Sequence, residues 1–126
     1  MANELILIVE DNQYNQKLAR DVLQVKGYRV LVADTAEAGI PMALKEKPDL
    51  VLMDIHLPGM TGIEALAKLR AAPETRQIPV FAFTASVMPQ DRRGITSAGF
   101  DGFLSKPINL KEFLETISAA LAGKKP

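Results

Sequence analysis

The amino-acid sequence predicts an α/β fold in which a doubly wound, five-stranded parallel sheet carries five helices. Short apolar runs rich in β-branched residues alternate with segments whose apolar residues recur at helical spacing, and this alternation occurs five times. Each interval between runs is long enough for the crossover that a parallel pair of strands requires. Because such crossovers are right-handed and place helices on both faces, we expect a buried sheet.

The first strand is predicted at 5–9, where the apolar run is uninterrupted. The first helix follows it, with apolar residues at helical spacing through 18–23. A second strand is predicted at 28–33, where β-branched residues return. Thr35 then has the character of an N-cap for the second helix. That helix contains Pro41, which deletes a backbone donor in a helix interior. We therefore expect a kink at Pro41 or a helix that begins later.

The remaining three units repeat the same order. Strands are predicted at 50–53, 78–83 and 101–104 from their short apolar runs. Pro89 fits the first turn of the fourth helix, and a proline is tolerated there. The helices after these strands run through 63–70, from Pro89 to about Ser97, and through a stripe of Leu110, Phe113, Leu114, Ile117 and Leu121, before a tail at 123–126.

Length and composition restrict the function. With 126 residues the chain is predicted to be a single domain over 1–126, with a core at about 5–121. Fifteen basic residues against fifteen acidic ones argue against direct nucleic-acid binding. With no cysteine, and one histidine that cannot form a multi-histidine site, a metal must be held by oxygen. The sequence has neither the basic segment of a signal peptide nor a membrane-length apolar run. We expect a cytoplasmic domain without membrane insertion.

Polar residues follow four of the five predicted strands. In an open parallel sheet, ligands bind beyond the carboxyl ends of the strands. The first strand leads into Glu10 and Asp11, the third into Asp54, the fourth into Thr84, and the fifth, after a short loop, into Lys106. Three acids, a hydroxyl and a cation are therefore predicted to meet at one edge.

Each of these residues also has a simpler interpretation. Glu10 and Asp11 could form the polar start of a helix capped by Asn12. Asp54 could have an isolated capping role, Thr84 could be an ordinary β-branched strand residue, and Lys106 could be a solvated loop lysine. The combination favours a site, because the simpler explanation would have to be repeated at four separate strand ends.

Three carboxylates at one site repel each other, so at least one pKa should rise unless charge compensates. Mg²⁺ is the natural compensating ion for hard oxygen ligands, and Mn²⁺ is possible. Mg²⁺ favours phosphoryl chemistry. Asp54 would then be the nucleophile that forms an acyl phosphate, while Lys106 and Thr84 contact phosphoryl oxygens.

Four separated blocks of the sequence resemble the signature of the response regulator receiver domain of two-component signalling. The resemblance covers the chain from about Leu5 to about Leu121 and implies a flavodoxin-like sheet with strand order 2-1-3-4-5. The blocks are Ile8-Val9-Glu10-Asp11-Asn12, Leu52-Met53-Asp54-Ile55-His56-Leu57-Pro58, Phe83-Thr84-Ala85 and Ser105-Lys106-Pro107.

The resemblance implies a role for each site residue. Asp54 matches the phosphoacceptor, Asp11 the acid that binds Mg²⁺ directly, and Glu10 the acid that acts through a metal-bound water. The backbone carbonyl of His56 matches the third protein ligand of the metal. The remaining matches are Thr84 with the switch hydroxyl, Lys106 with the phosphoryl-binding lysine, Phe103 with the switch aromatic, and His56 and Ser86 with positions that modulate dephosphorylation. Phe103 could equally be a buried aromatic residue of the fifth strand.

These matches predict a stand-alone receiver that takes a phosphoryl group from a histidine kinase or a phosphotransfer protein onto Asp54 with Mg²⁺. It would switch conformation, act on a downstream protein through its helix 4–strand 5–helix 5 face, and dephosphorylate itself, without being a conventional turnover enzyme. Two alternatives remain: a binding module that signals without phosphorylation, and a phosphatase with an aspartate nucleophile. Such a phosphatase needs a second acid two residues after the nucleophile, where this chain has His56.

Overall fold

The computed structural model describes residues 3–57, 59–84, 89–106 and 108–123. Its five parallel strands form one sheet in the order β2-β1-β3-β4-β5, which confirms the predicted fold class and strand order. Each strand lies within one or two residues of its predicted position. The strands are β1 (Leu5–Val9), β2 (Arg29–Ala33), β3 (Leu50–Asp54), β4 (Val80–Thr84) and β5 (Gly102–Ser105).

Five helices connect and follow these strands. Asn12, Thr35 and Thr61 cap the first three helices, each accepting a hydrogen bond from a backbone N–H in the first turn. Thr61 and Glu64 also form a reciprocal capping box. The helices are α1 (Gln13–Val25), α2 (Ala36–Glu46), α3 (Gly62–Ala71), α4 (Pro89–Ala98) and α5 (Leu110–Gly123).

Successive residues of each strand pack alternately into two hydrophobic cores on opposite faces of the sheet. Leu7 and Val9 of β1 point to the face covered by α2, α3 and α4. Ile6 and Ile8 point to the opposite face, which α1 and α5 cover. Burying each large aliphatic side chain contributes about 1.5–3 kcal/mol, so both layers hold the sheet rigidly. The strand ends therefore present polar side chains from a fixed frame.

Three details differ from the sequence prediction. The helix α2 begins at Ala36, directly after its cap, and runs uninterrupted through Pro41, so the later start is wrong. Because Pro41 has no N–H, the Glu37 carbonyl receives no hydrogen bond from it within the helix. Both residues are exposed, so water can reach that carbonyl. Leu110 is 55% exposed rather than on the buried stripe of α5. Gly123 belongs to α5 rather than to a tail, and 124–126 lie outside the described residues.

The strand register brings the carboxyl ends of the strands together. Val9 pairs with Met53, Asp54 with Phe83 and Thr84 with Ser105. The residues at and just after the ends of β1, β3, β4 and β5, among them Asp54 and Thr84 as the last residues of their strands, consequently lie along one edge of the sheet. Within the ranges that the structure describes, no helix has the length and apolarity needed to cross a membrane.

Candidate functional site

Three carboxylates converge at the carboxyl edge of the sheet, as the sequence predicts. One oxygen from each of Glu10, Asp11 and Asp54 lies within 4.8 Å of the other two. Glu10 is completely buried and Asp54 is 4% exposed, whereas Asp11 is open to solvent. The cluster thus has two desolvated acids and one exposed acid facing the same space.

The loop between β1 and α1 positions two of these acids. Asn12 caps α1 by accepting from the Asn15 N–H at 2.9 Å, and its own N–H donates to Glu10 Oε2 at 2.9 Å. The Glu10 N–H donates to the Ala33 carbonyl at 3.0 Å. The capping interpretation is therefore correct for Asn12. It does not compete with a site, because the same turn holds Glu10 toward the cluster.

The loop after β3 positions Asp54. The Asp54 Oδ1 atom accepts the His56 N–H at 2.9 Å. The start of α3 packs directly behind it, since a Cβ added to Gly62 would lie 2.5 Å from the Asp54 carbonyl oxygen. The His56 side chain is exposed. The metal-ligand role of the His56 carbonyl stays a prediction.

Lys106 closes the site from the other side. Its Nζ atom lies 2.5 Å from Glu10 Oε1 and 3.0 Å from Asp54 Oδ2, with only 13% of its side chain exposed. The ammonium also lies 5.0 Å from the centre of the Phe83 ring, within cation–π range. The backbone N–H of Lys106 donates to the Thr84 carbonyl at 2.9 Å. The solvated-loop interpretation of Lys106 is therefore wrong.

Charge and burial shift two pKa values in this cluster. Burial raises the pKa of Glu10, contacts with Lys106 and the Asn12 N–H lower it, and the charge of Asp54 raises it, so that the net change is upward. Burial lowers the pKa of Lys106, but its contacts with Glu10 and Asp54 outweigh this and raise it. A pKa rise was expected from repulsion among the acids, yet desolvation is its larger cause.

The donor set fits a divalent cation. Among the described residues of the cluster, one ammonium faces three carboxylates, which leaves an excess of negative charge. Within that same part of the chain, Glu10 Oε1 receives no hydrogen bond of good geometry despite its ion pair with Lys106. Oxygen ligands and uncompensated negative charge are what Mg²⁺ and Mn²⁺ prefer.

The two predicted switch residues lie on one face of the sheet. Thr84 is buried at the end of β4, and Phe103 is half-buried beside Ala82, its register partner. Because Ala82 and Thr84 alternate with Phe83, the side chains of Thr84 and Phe103 share the face covered by α2, α3 and α4. Pro58, Ala85 and Pro107 of the predicted blocks, and Ser86, which is predicted to modulate dephosphorylation, lie outside the described residues.

Two contacts in the site were not predicted from the sequence. The Phe83 ring lies beside Lys106, and Gln16 Nε2 donates to the Glu10 carbonyl at 2.9 Å. Gln16 could have been noticed in the sequence, because it is a polar residue at a position that shares the buried stripe of α1 with Ala19 and Leu23. A polar residue on such a stripe needs a buried hydrogen-bond partner.

The fold and the site together define a class: a doubly wound α/β domain whose sheet edge holds an acidic cluster bridged by one lysine. A family model described as the response regulator receiver domain matches residues 6–118, most of the chain. The chain therefore belongs to the receiver-domain family of two-component response regulators, which are signalling proteins.

Relatives and solved structures agree with that assignment. The chain is 40% identical over 116 residues to the polar-differentiation response regulator DivK of Brucella anthropi, an alignment that covers 92% of this chain and 94% of the relative. The receiver domain of the sensor histidine kinase PA1611 from Pseudomonas aeruginosa, solved with a magnesium ion in its active site cleft, superposes with a TM-score of 0.88 and 31% identity over 95% of this chain and 98% of that one. The chemotaxis protein CheY4 of Vibrio cholerae gives a TM-score of 0.88 at 25% identity, covering 94% and 98%.

Proposed function

We propose that this chain accepts a phosphoryl group on Asp54 from a phosphohistidine of a histidine kinase or a phosphotransfer protein. The observation that carries the proposal is the setting of the Asp54 carboxylate. Its Oδ1 atom accepts the His56 N–H at 2.9 Å, and its Oδ2 atom accepts from Lys106 Nζ at 3.0 Å. Glu10 and Asp11 lie within the same acid cluster. A carboxylate oriented in this way is prepared for attack on phosphorus.

The residues that would hold Mg²⁺ are Asp11 and Asp54 through their carboxylates, His56 through its backbone carbonyl, and Glu10 through a water molecule. The magnesium ion in the Pseudomonas aeruginosa receiver domain supports this choice of metal. When bound, Mg²⁺ offsets the negative charge on the phosphoryl oxygens. The acid cluster supplies the attraction, and the raised pKa of Glu10 reflects how poorly the metal-free site tolerates its charge.

In the transfer step, an oxygen of Asp54 forms a bond to phosphorus while the phosphorus–nitrogen bond to the donor histidine breaks. The product is an acyl phosphate on Asp54 and a free imidazole on the donor. Lys106, whose raised pKa keeps it charged, pairs with a phosphoryl oxygen. The signal ends when water attacks the phosphorus and the bond between phosphorus and the Asp54 oxygen breaks, which releases inorganic phosphate and regenerates the Asp54 carboxylate. The chain thus removes its own signal without acting as a conventional turnover enzyme.

A protein donor fits the surroundings of the site. Tyr14, Ile63 and Leu110 are large apolar side chains with 74%, 47% and 55% exposure. They lie in the first turns of α1, α3 and α5, and those turns flank the carboxyl edge of the sheet. Apolar side chains around a charged centre are typical of a surface that meets another protein.

The output of the domain is a change of conformation. The added phosphoryl charge attracts Lys106 and the Thr84 hydroxyl, and movement of Thr84 leaves space on the face that it shares with Phe103. We propose that the face formed by α4, β5 and α5 carries this change to a downstream protein. Couplings of this kind are typically about 1–3 kcal/mol, which changes partner affinity several-fold or more.

Intact mass spectrometry tests the proposal. Incubated with Mg²⁺ and a small phosphodonor such as acetyl phosphate, the wild-type chain should gain the mass of one phosphoryl group. The Asp54→Asn variant should gain none, whereas Asp101→Asn, which changes a carboxylate at the opposite edge of the sheet, should behave as wild type. An unmodified wild type would favour a module that signals without phosphorylation. Catalytic turnover of a phosphomonoester would favour the phosphatase instead.

A further inference from the structure

Gln16 is a buried amide side chain that contacts the acid cluster from behind. Only 7% of the residue is exposed, and it lies on the stripe of α1 that packs against the sheet. Its Nε2 atom donates to the Glu10 carbonyl at 2.9 Å and to Asp34 Oδ1 at 2.8 Å. An amide nitrogen has two hydrogens, so these two bonds use the full donor capacity of Gln16.

The bond to the Glu10 carbonyl fixes one particular peptide plane. That carbonyl belongs to the peptide group that joins Glu10 to Asp11, the two acids that the β1–α1 loop contributes to the cluster. The preceding peptide is held as well, because the Glu10 N–H donates to the Ala33 carbonyl at 3.0 Å. These two bonds hold the peptides on both sides of Glu10, and the Asn12 N–H, which donates to Glu10 Oε2 at 2.9 Å, holds the peptide after Asp11. The directions in which Glu10 and Asp11 leave the backbone are therefore set before any ligand arrives.

Asp34 determines how the Gln16 amide is oriented. A carboxylate only accepts hydrogen bonds, so it selects the Nε2 side of the amide and directs the second hydrogen to the Glu10 carbonyl. Asp34 is exposed and also accepts from Gln13 Nε2 at 3.2 Å. Among the described residues, the Gln13 side chain donates to Asp34, whereas the Gln16 side chain donates to both Asp34 and the Glu10 carbonyl.

We propose that Gln16 is a positioning residue for the divalent-cation site, acting through the Glu10–Asp11 peptide. This inference rests on the proposed function, since it concerns the same acids. A neutral amide suits the role, because it orients the acids without supplying the positive charge that would compete with the cation. Groups that orient metal ligands by hydrogen bonding typically contribute 10–100-fold to metal affinity.

Calorimetric titration of the full chain with Mg²⁺ tests the inference. The near-isosteric variant Gln16→Met removes the donor and keeps the packing volume, so we expect the Mg²⁺ dissociation constant to rise about tenfold. The matched control is Gln13→Met, which loses only the exposed bond to Asp34 and should leave the dissociation constant within twofold of wild type. An unchanged dissociation constant in Gln16→Met would overturn the proposal.

Amide hydrogen exchange in the metal-free protein gives a second readout. Asn12 donates its N–H to Glu10 Oε2, so its exchange rate reports whether Glu10 is held in place. We expect Gln16→Met to accelerate exchange at Asn12 while Leu7, in the centre of β1, exchanges as in wild type. Equal acceleration at both amides would show a general loss of stability and would contradict a positioning role.

The exposed variant Asp34→Asn covers the case in which Gln16→Met does not fold. It weakens the orientation of the Gln16 amide, so exchange at Asn12 should rise, by less than in Gln16→Met. No change in either variant would refute the inference. Failure of the wild-type chain to bind Mg²⁺ would instead refute the proposed function, and the metal-free exchange measurement would still decide the role of Gln16.

Discussion

A positively charged side chain lies at each end of the strands, at the carboxyl edge and at the amino edge of the sheet. The two edges differ in how many carboxylates face that side chain and in how far it is buried. At the carboxyl edge, Lys106 is 13% exposed and faces Glu10, Asp11 and Asp54. At the amino edge, Arg70 and Asp101 form a one-to-one pair at 2.7 Å, with side chains 28% and 45% exposed.

The amino edge is also satisfied in its hydrogen bonds. Arg70 Nη1 donates to the Ile78 carbonyl at 2.6 Å, and Asp101 Oδ2 accepts the Val80 N–H at 2.8 Å. The arginine fork thus ties the end of α3 to the starts of β4 and β5, and its charge is matched. Matched, partly exposed charge at the amino edge thus holds elements of the fold together, whereas the unmatched charge at the carboxyl edge is where we propose that a cation binds.

The largest contrast should come from removing each cation. In metal-free protein, Lys106→Met leaves Glu10 and Asp54 buried without their ammonium partner, so we expect a loss of about 3 kcal/mol in the free energy of unfolding. The corresponding variant Arg70→Met should lose about 1–2 kcal/mol, because water reaches the groups it exposes. Urea unfolding with a chelator present measures both values. Equal losses would contradict the difference between the edges.

A smaller effect is expected from glycines that pack near each edge. A Cβ at Gly62 would lie 2.5 Å from the Asp54 carbonyl oxygen, whereas one at Gly102 would lie 2.7 Å from the Phe81 ring. Each alanine variant should cost about 2 kcal/mol through overpacking. Phosphorylation by acetyl phosphate should slow only in Gly62→Ala, since that substitution moves the backbone of Asp54. Equal rates in the two variants would break this prediction.

The buried Glu10 at the carboxyl edge should make the stability of the protein depend on pH. Because the pKa of Glu10 is raised above its ordinary value of 4.5, folded metal-free protein holds that proton to higher pH than the unfolded chain does. Its stability should therefore fall as pH rises from about 4.5 through the raised pKa of Glu10. Urea midpoints of wild type and Glu10→Gln, measured across that range, should diverge with increasing pH. Parallel curves would contradict the assignment.

The smallest effect is expected for Asp101→Asn. The amide oxygen can still accept from Val80 or Arg70, so the variant loses mainly a partly exposed charge interaction. We expect a loss of under about 1 kcal/mol in the free energy of unfolding. Phosphorylation should be unchanged, which a mass-spectrometric time course checks. A slowed reaction would mean that the amino edge communicates with the site.

The residues that meet at the carboxyl edge can be predicted from the sequence because their placement depends only on the order of strands and helices. Once strands and helices alternate, residues at or just after the ends of β1, β3, β4 and β5 must meet at one edge, so Glu10, Asp54 and Lys106 can be placed together without knowing any side-chain direction. The predicted cation site follows from the same placement, because it depends only on residue type.

Other features depend on side-chain direction and could not be predicted. Arg70 and Asp101 are 31 positions apart, and their contact requires the guanidinium to turn toward the start of β5. Leu110 matches the helical period of α5, yet it lies in the first turn of the helix and is exposed. Gln16 shows a polar residue on a buried stripe, but its partner at Glu10 depends on the path of the β1–α1 loop.

Calorimetric titration with Mg²⁺ tests the central claim most directly, since the claim is that unmatched charge at the carboxyl edge reserves a cation site. At millimolar Mg²⁺, wild type and Asp101→Asn should both show saturable binding at one site, and Asp11→Asn should show a large loss of affinity. The same three titrations would contradict the account if wild type gave no binding, or if Asp11→Asn bound Mg²⁺ as tightly as wild type.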